Sequence, residues 1–349
     1  MSESIIRVGI VGAGNNTRLR HIPGLKSMED VQIVSICNRT RESSQRVADE
    51  FNIPKVYDTW LDLVQSDDTD AICIGTWPYM HCPITIAALK SNKHVLCEAR
   101  MALNANEAHA MLRAAREKPN LVAQLVPAPL TFKVDNAIQG LVANRYLGNL
   151  LAVEMSVSTG GFADYESLLH WRQNQQLSGY NVLFMGIWYE SLIRWMGPAT
   201  KVIAMTKTFV TQRYDADGVL HAVTVPDHVD ILCEMACGAQ AHLRFSDVTG
   251  LAPQNQIWLF GEQGTLRLDA SDMTLYGAKQ GEGALAQIPI SAEAEGHWRV
   301  EQEFINAIRG KENVTLSPFE VGVQYMEFTE AVTRSAQTQR AISLPLYGT

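Results

Sequence analysis

The feature that most constrains the fold is a buried-strand pattern that runs directly into a glycine turn within the first twenty residues. Residues 7–17 read R-V-G-I-V-G-A-G-N-N-T. Gly12 and Gly14 allow a tight turn whose backbone a pyrophosphate can approach, and a following helix would point its free amides at that phosphate. Thr17 stands where the full fingerprint has a third glycine or alanine, so an ordinary glycine turn after a strand also fits these letters.

The remaining chain predicts two domains, since 349 residues of which 46% are hydrophobic can form two cores. In residues 1–127, short apolar strand patterns alternate with helical patterns. This alternation predicts an α/β Rossmann domain with a parallel doubly wound sheet, which binds ligands at the carboxyl ends of its strands. Residues 128–349 carry long alternating strands and hairpin turns, and a last helix is expected over about 317–339. They predict an α+β domain with a large, mostly antiparallel, open-faced sheet.

Composition argues against several kinds of partner. The net charge is −8 without a basic cluster, so nucleic acid is not expected as a partner. The N-terminal segment lacks the features of a signal sequence, and no run of about 18 apolar residues could span a membrane. The six scattered cysteines are typical of buried thiols in a reducing compartment. We therefore expect a cytoplasmic protein without a metal site, a nucleic-acid partner or a membrane partner.

The residue after the second predicted strand bears on the choice of dinucleotide. Enzymes that prefer NAD usually have an acidic residue there, about twenty positions beyond the glycine turn. Asn38 occupies this place and is followed by Arg39, whose guanidinium could bind a 2′-phosphate. The sequence therefore favours NADP(H) over NAD(H), although a ribose bond to Asn38 and a solvated Arg39 also fit.

Three further patterns coincide with the glycine turn: T-W-P-Y-M-H at 76–81, H-V-L-C-E-A-R at 94–100, and F-M-G-I-W at 184–188 before an R-W pair. Together they resemble the Gfo/Idh/MocA family of nicotinamide-dependent sugar and polyol oxidoreductases over essentially the whole chain. The resemblance implies a cofactor at the strand ends of the first domain and a substrate loop in the second. The expected cofactor-binding residues are Gly12, Gly14, Asn15, Asn16, Asn38, Arg39, Thr76, Trp77, His81 and Glu98. The expected substrate-binding residues are Trp171, Arg172, Tyr180, Asn181 and Trp188.

The chain departs from this family at its acid/base positions. The family lysine of E-K-P is Ala99 here, and the aspartate and histidine of the D-x-G-x-H signature are Phe184 and Trp188. None of these three side chains can exchange a proton. His170 has a suitable position and pKa range, and Arg100 could bind an anionic substrate group. These two are the expected catalytic residues, while a surface position for His170 and a structural role for Arg100 stay open.

The favoured interpretation is an NAD(P)-dependent oxidoreductase that acts on a sugar, polyol or related polyhydroxylated compound with a non-standard acid/base set. One alternative keeps the cofactor bound and uses transient oxidation to drive elimination or hydrolysis, as in a glycosidase or lyase, without net redox change. Another alternative is a non-catalytic cofactor-binding sensor or regulatory protein, which the loss of the acid/base positions favours.

An open-faced sheet also predicts self-association. The second domain has too few predicted helices to cover both faces of its sheet, so one face needs a partner. A homodimer or homotetramer through this sheet is the expected solution. The apolar side chains expected on the open face are Ile231, Leu243, Trp258 and Leu266.

Overall fold

The computed structural model describes residues 4–253 and 255–346. Its contacts divide the chain into two compact units, Met1–Pro127 with Arg299–Val323 and Ala128–Trp298 with Gln324–Thr349. The return of the segment Arg299–Val323 to the first unit was not predicted, because no sequence pattern indicates it. Within the described ranges, every helix is too short or too polar to cross a membrane.

A six-stranded parallel sheet forms the centre of the first unit. Its strands are β1 (Ile6–Val11), β2 (Val31–Cys37), β3 (Lys55–Val56), β4 (Ala71–Ile74), β5 (His94–Cys97) and β6 (Ala123–Leu125). Their spatial order is β3-β2-β1-β4-β5-β6, which is the doubly wound order of a dinucleotide-binding fold. The order reverses between β1 and β4, and ligands bind such sheets at this point. The predicted Rossmann domain is therefore confirmed.

Helices connect these strands, and several begin where a side chain satisfies the free amides of the first turn. The helices of this part are α1 (Ile22–Lys26), α2 (Arg41–Phe51), α3 (Trp60–Gln65), α4 (His81–Lys90) and α5 (Ala105–Arg116). The side chains of Thr40, Thr59 and Asn104 accept hydrogen bonds from main-chain amides at the starts of α2, α3 and α5. Such caps fix the starting residue of a helix and stabilise it by about 1 kcal/mol each.

A nine-stranded sheet forms the centre of the second unit. The strands of this unit are β7 (Leu150–Ser158), β8 (Ala199–Lys207), β9 (Gln212–Tyr214), β10 (Leu220–Ala222), β11 (His228–Met235), β12 (Gln240–Ser246), β13 (Gln256–Gly261), β14 (Gly264–Asp269), β15 (Thr274–Lys279), β16 (Ala286–Gln287) and β17 (Ile342–Ser343). The large sheet has the order β16-β15-β14-β13-β7-β12-β11-β8-β17, while β9 and β10 form a separate hairpin. Only the β7–β12 pair is parallel among the pairs of the large sheet, so the predicted mostly antiparallel sheet is confirmed.

Helices cover one face of this sheet. The remaining α-helices of the described residues are α6 (Phe132–Ala143), α7 (Gln175–Ser178), α8 (Met185–Met196), α9 (Val300–Ile308) and α10 (Phe319–Thr338), of which α9 belongs to the first unit. Tyr189 of α8 stacks on Phe328 of α10 with ring centroids 3.6 Å apart, and its hydroxyl accepts the main-chain N–H of Ala199. Two helices are thereby fixed to each other and to β8.

The assignment of side chains to the open face of the sheet was wrong for three of the four residues named. Ile231, Leu243 and Leu266 are 1% exposed or less, because they point to the helix-covered face. Side chains alternate along a strand, so an error of one residue moves a whole set to the other face. The exposed apolar side chains of the other face are Ile203, Met205 and Leu232, with Trp258 half-buried.

Candidate cofactor and substrate sites

The glycine loop after β1 leaves the space that a phosphate needs. Gly12 has a φ of +84°, and a Cβ on it would lie 2.7 Å from the main-chain nitrogen of Thr76. A Cβ on Gly14 would meet only the carbonyl oxygen of Gly75, at 3.2 Å, and Gly14 is exposed. A helix begins at Asn15, so its free amides lie beside this open backbone. The loop therefore fits the pyrophosphate of a dinucleotide.

A glycine directly after the neighbouring strand β4 compensates for the missing third glycine of the fingerprint. That glycine normally permits close packing of the helix on the sheet. Here Thr17 is buried, and a Cβ on Gly75 would lie 2.0 Å from its hydroxyl oxygen and 2.2 Å from the carbonyl oxygen of Gly12. Gly75, which directly follows β4, thus provides the space for close packing of the helix that the third glycine provides in the full fingerprint.

Asn38 braces the glycine loop. Its side-chain oxygen accepts the main-chain N–H of Ala13 at 2.7 Å, and its amide donates to the carbonyl oxygen of Ser43 at 3.0 Å. Asn38 itself carries no negative charge that could repel a 2′-phosphate. The neighbouring Arg39 is exposed and, within the part of the chain that the structure describes, makes no hydrogen bond or ion pair. Its guanidinium is available to an anion.

A buried charged cluster lies directly behind the glycine loop. The loop helix contains a π-helical turn, Thr17–His21, which accommodates one extra residue and carries His21 into the core. The ring atom Nδ1 of His21 lies 2.5 Å from Oε1 of Glu301, and Nε2 lies 2.9 Å from Oε1 of Glu98. Asn16 donates its side-chain amide to the same Glu98 oxygen. The cluster thus links the loop helix, the end of β5 and α9.

The electrostatics of this cluster favour its charged form. Burial works against the charge of His21, but the hydrogen bonds to Glu301 and Glu98 outweigh burial and raise the pKa of His21 to about 9. Burial alone would raise the pKa of Glu98, yet the hydrogen bond and the charge of His21 lower it to about 2. An imidazolium is therefore held between carboxylates at neutral pH. Sequence reasoning named Asn16 and Glu98 and missed the other two, because 280 positions separate His21 from Glu301.

His81 lies in the wall of the site. It is fully buried, with Nδ1 2.9 Å from the carbonyl oxygen of Arg100 and Nε2 3.0 Å from that of Thr76. Burial lowers the pKa of His81, so the ring is neutral and has one N–H to donate. The ring connects the ends of β4 and β5, and beside it Trp77 is 36% exposed. His81 can therefore act by holding the chain segments after β4 and β5 in place, while the partly exposed indole ring of Trp77 is accessible to a ligand.

Two adjoining cavities occur in the second unit, with volumes of about 390 Å³ and 420 Å³. His170 and Arg172 line the first, and Trp188 lines the second. The residues that line both are Leu183, Phe184 and Asp247. Phe184 and Trp188, the two residues that the sequence comparison expects at the family's aspartate and histidine positions, thus both line the second cavity. Asp247 was not named by sequence reasoning, because no motif contains it.

The loop at 170–172 is ordered by local contacts. The Nδ1 atom of His170 accepts the main-chain N–H of Arg172 at 3.3 Å, so the N–H of the neutral ring is on Nε2. Burial and the nearby charge of Arg172 lower the pKa of His170. The guanidinium of Arg172 lies 4.3 Å from the ring centroid of Trp171. The structure therefore presents an arginine on an aromatic ring beside a neutral histidine.

The other two predicted substrate residues, Tyr180 and Asn181, do not line this pair of cavities. Tyr180 lines a third cavity, of about 410 Å³, and Asn181 donates its amide to the carbonyl oxygen of Ser178. Throughout residues 4–253 and 255–346, no group of three or more His, Cys, Asp or Glu side chains is placed to hold a metal ion.

The R-W pair that follows the second signature has a structural role. Arg194 Nη1 lies 2.8 Å from Oε1 of Glu190, and its Nε lies 3.0 Å from Oδ2 of Asp135. The indole N–H of Trp195 donates to the other Asp135 oxygen at 2.7 Å. These buried contacts fix the carboxyl-terminal half of α8 against α6.

Comparison with known proteins agrees with this geometry. Residues 6–125 match the model of the oxidoreductase family with an NAD-binding Rossmann fold, and residues 136–267 match the Gfo/Idh/MocA C-terminal domain. An uncharacterized oxidoreductase of Synechocystis is 22% identical, with 78% of this chain and 73% of that protein covered. Trans-1,2-dihydrobenzene-1,2-diol dehydrogenase of Xenopus laevis is 24% identical, with 68% of this chain and 67% of that protein covered.

Solved structures show the same fold. Levoglucosan dehydrogenase in complex with NADH and L-sorbose superposes with a TM-score of 0.84 at 20% identity, covering 98% of this chain and 100% of that one. The two family models together cover more than two thirds of the 349 residues. The chain therefore belongs to the Gfo/Idh/MocA family of NAD-binding oxidoreductases.

Proposed function

We propose that this protein is an NAD(P)-dependent dehydrogenase or reductase of a sugar, polyol or related polyhydroxylated compound. The observation that carries the proposal is the glycine loop at the reversal point of the sheet, where Gly12 makes the tight turn and Gly14 leaves open backbone for a pyrophosphate. The bound nicotinamide would supply hydride acceptance or donation. The chain's own part is to bind the cofactor at this loop and to hold Glu98 behind it.

The cofactor is proposed to be NADP(H) rather than NAD(H). A 2′-phosphate needs a cation and no competing carboxylate. Asn38 is neutral and engaged with the loop, Arg41 pairs with Asp58, and Arg39 is left to meet the phosphate. The proposed cofactor-binding set otherwise stays as the sequence predicts it, with His81 acting through the backbone that it holds.

The substrate class follows from the lining of the two adjoining cavities. Phe184 and Trp188 offer apolar aromatic surface, which suits the flat side of a pyranose. His170 and Arg172 add polar groups that can bind hydroxyl oxygens. Two similar proteins are named levoglucosan dehydrogenase and trans-1,2-dihydrobenzene-1,2-diol dehydrogenase, and the substrates in these names support this class. A cytoplasmic location and a homo-oligomer formed through the open face complete the proposal.

A sensor or regulatory protein is the second candidate, because non-ionisable residues stand at all three usual acid/base positions. Incubation of the purified protein with NADP⁺ or NAD⁺ and a panel of sugars and polyols distinguishes the two. We expect stoichiometric formation of reduced nicotinamide with at least one compound. Cofactor binding without turnover of any compound would indicate the sensor, and product formation without net reduction would indicate the redox-neutral enzyme.

A further inference from the structure

We propose that Asp247 is the carboxyl group that binds the reacting hydroxyl of the substrate and exchanges its proton. This inference rests on the proposed function and supplies the acid/base group that the family positions lack in this chain. Asp247 directly follows β12, and its main-chain N–H donates to the carbonyl oxygen of Asp227 at 2.9 Å.

The position of Asp247 singles it out. It lines both adjoining cavities and shares their common wall with Leu183 and Phe184. Phe184, at the start of α8, occupies the position where the family has an aspartate. Asp247, at the end of β12, lines the same cavities and so brings a carboxyl group to this part of the site. A hydroxylated ring that lies on Phe184 would thus have Asp247 within reach.

The other carboxylates of these cavities are committed to the backbone. Asp164 accepts the hydroxyl of Ser167 and two main-chain N–H groups of its own turn, the latter at 2.9 and 3.0 Å, and the Ser167 hydroxyl together with these amides lowers the pKa of Asp164 to about 2. Asp227 accepts the main-chain N–H groups of residues 209 and 210 at 2.9 to 3.0 Å. Both carboxylates are therefore occupied by hydrogen bonds to the backbone and are less available than Asp247 to a substrate hydroxyl.

Asp247 has the opposite environment. It is half-buried, and burial together with the negative charge of Asp227 raises its pKa, against a hydrogen bond from Thr159. The other ionisable groups of the first cavity are Asp164, His170, Arg172, Arg213 and Asp227. A carboxyl group whose pKa moves toward neutrality is efficient in both directions of proton transfer.

The chemical step balances without a further reactant. In the oxidising direction a nicotinamide cofactor held at the glycine loop by Gly12 and Gly14 would accept the hydride that leaves when the C–H bond of the substrate alcohol breaks. The O–H bond breaks at the same carbon, its proton passes to the Asp247 carboxylate, and the C=O bond forms. Asp247 then gives the proton to water. In the reducing direction the carboxylic acid donates this proton to the new alkoxide.

The test compares Asp247→Asn with Asp217→Asn, the same chemical change on an exposed carboxyl group of the β9–β10 turn. We expect Asp247→Asn to lower kcat by about 10²- to 10⁴-fold, the usual contribution of general acid–base catalysis. The variant should also lose the carboxyl-dependent limb of the pH–rate profile and bind the polyol more weakly in calorimetry. Cofactor affinity should be unchanged, Asp217→Asn should match the wild type, and Asp247→Glu should recover part of kcat.

Two outcomes would overturn the inference, and they are distinguishable. If Asp247→Asn keeps kcat and the pH profile of the wild type, Asp247 is not the acid/base group, whereas the proposed oxidoreductase stands. If the folded wild type binds cofactor and turns over no compound of the panel, the proposed function fails and the role of Asp247 fails with it. Thermal unfolding of both variants shows whether a loss of activity reflects a loss of fold.

Discussion

Removal of the buried imidazolium should destabilise the first unit far more than removal of an exposed charge on the same helical turn. In His21→Ala, Glu98 and Glu301 lose the cation between them. Water cannot replace it well, because their side chains are only 15% and 5% exposed. Breaking a buried ion pair costs about 3 to 5 kcal/mol. The pKa of His21 gives a consistent magnitude, since a rise from 6.5 to about 9 corresponds to about 3 kcal/mol.

The pH dependence of stability has a definite sign. Because the pKa of His21 is raised in the folded state, its stabilisation is complete below about pH 6.5 and is lost as the pH rises through about 9. The pKa of Glu98 is lowered, so its stabilisation is present above about pH 4.5 and is lost as the pH falls toward 2. Between pH 6 and 9.5 the unfolding free energy of the wild type should fall by about 3 kcal/mol through the titration of His21. This decrease should be absent in His21→Ala.

Urea unfolding, combined with hydrogen exchange of the β1 and β5 amides, measures the effect in the first unit. The matched control is Arg18→Ala, which breaks an exposed pair with Glu50 whose side chains are 46% and 43% exposed. Exposed pairs contribute about 1 kcal/mol or less, so this variant should be nearly neutral. Equal losses in His21→Ala and Arg18→Ala, or the same pH slope in wild type and His21→Ala, would refute the reasoning.

Three shorter predictions follow from the loop and the sheet. Gly14→Val should abolish cofactor binding in calorimetry without a loss of thermal stability. Gly12→Val should lose both cofactor binding and thermal stability, because its Cβ would clash with main chain. Full cofactor affinity in Gly14→Val would contradict the assignment of the loop to the pyrophosphate. Arg39→Ala should weaken NADPH binding by about 10- to 100-fold and leave NADH unchanged, with Arg41→Ala as the control, and an unchanged NADPH constant would contradict the charge argument. Leu232→Lys on the open face should reduce the particle mass in light scattering, and a wild type that is already monomeric at micromolar concentration would contradict the assembly.

Local signals in the sequence predicted much of the fold. The apolar run into Gly12 identifies β1 and the phosphate loop, because a strand, a turn and a helix are contiguous there. It is harder to predict which face of a strand is buried. Ile231 and Leu232 are adjacent apolar residues on opposite faces, and the sequence pattern does not indicate which of the two the helices cover.

The rest of the site depends on long-range packing. His21 meets Glu301 across 280 positions, and only the folded return of α9 to the first unit brings them together. Asp247 belongs to no motif and becomes a candidate only through the cavity walls that it lines. Thr17 stands where the fingerprint has its third glycine. Gly75 provides the missing space, but this follows only from the pairing of β1 with β4 in the folded sheet.

The most direct test of the account is the fate of the substrate hydrogen. A polyol or sugar that the protein oxidises is labelled with deuterium at the reacting carbon and incubated with oxidised cofactor. The account predicts that mass spectrometry finds one deuterium in the reduced nicotinamide for each molecule of ketone or aldehyde formed. Product that forms while the nicotinamide stays oxidised and unlabelled would contradict it.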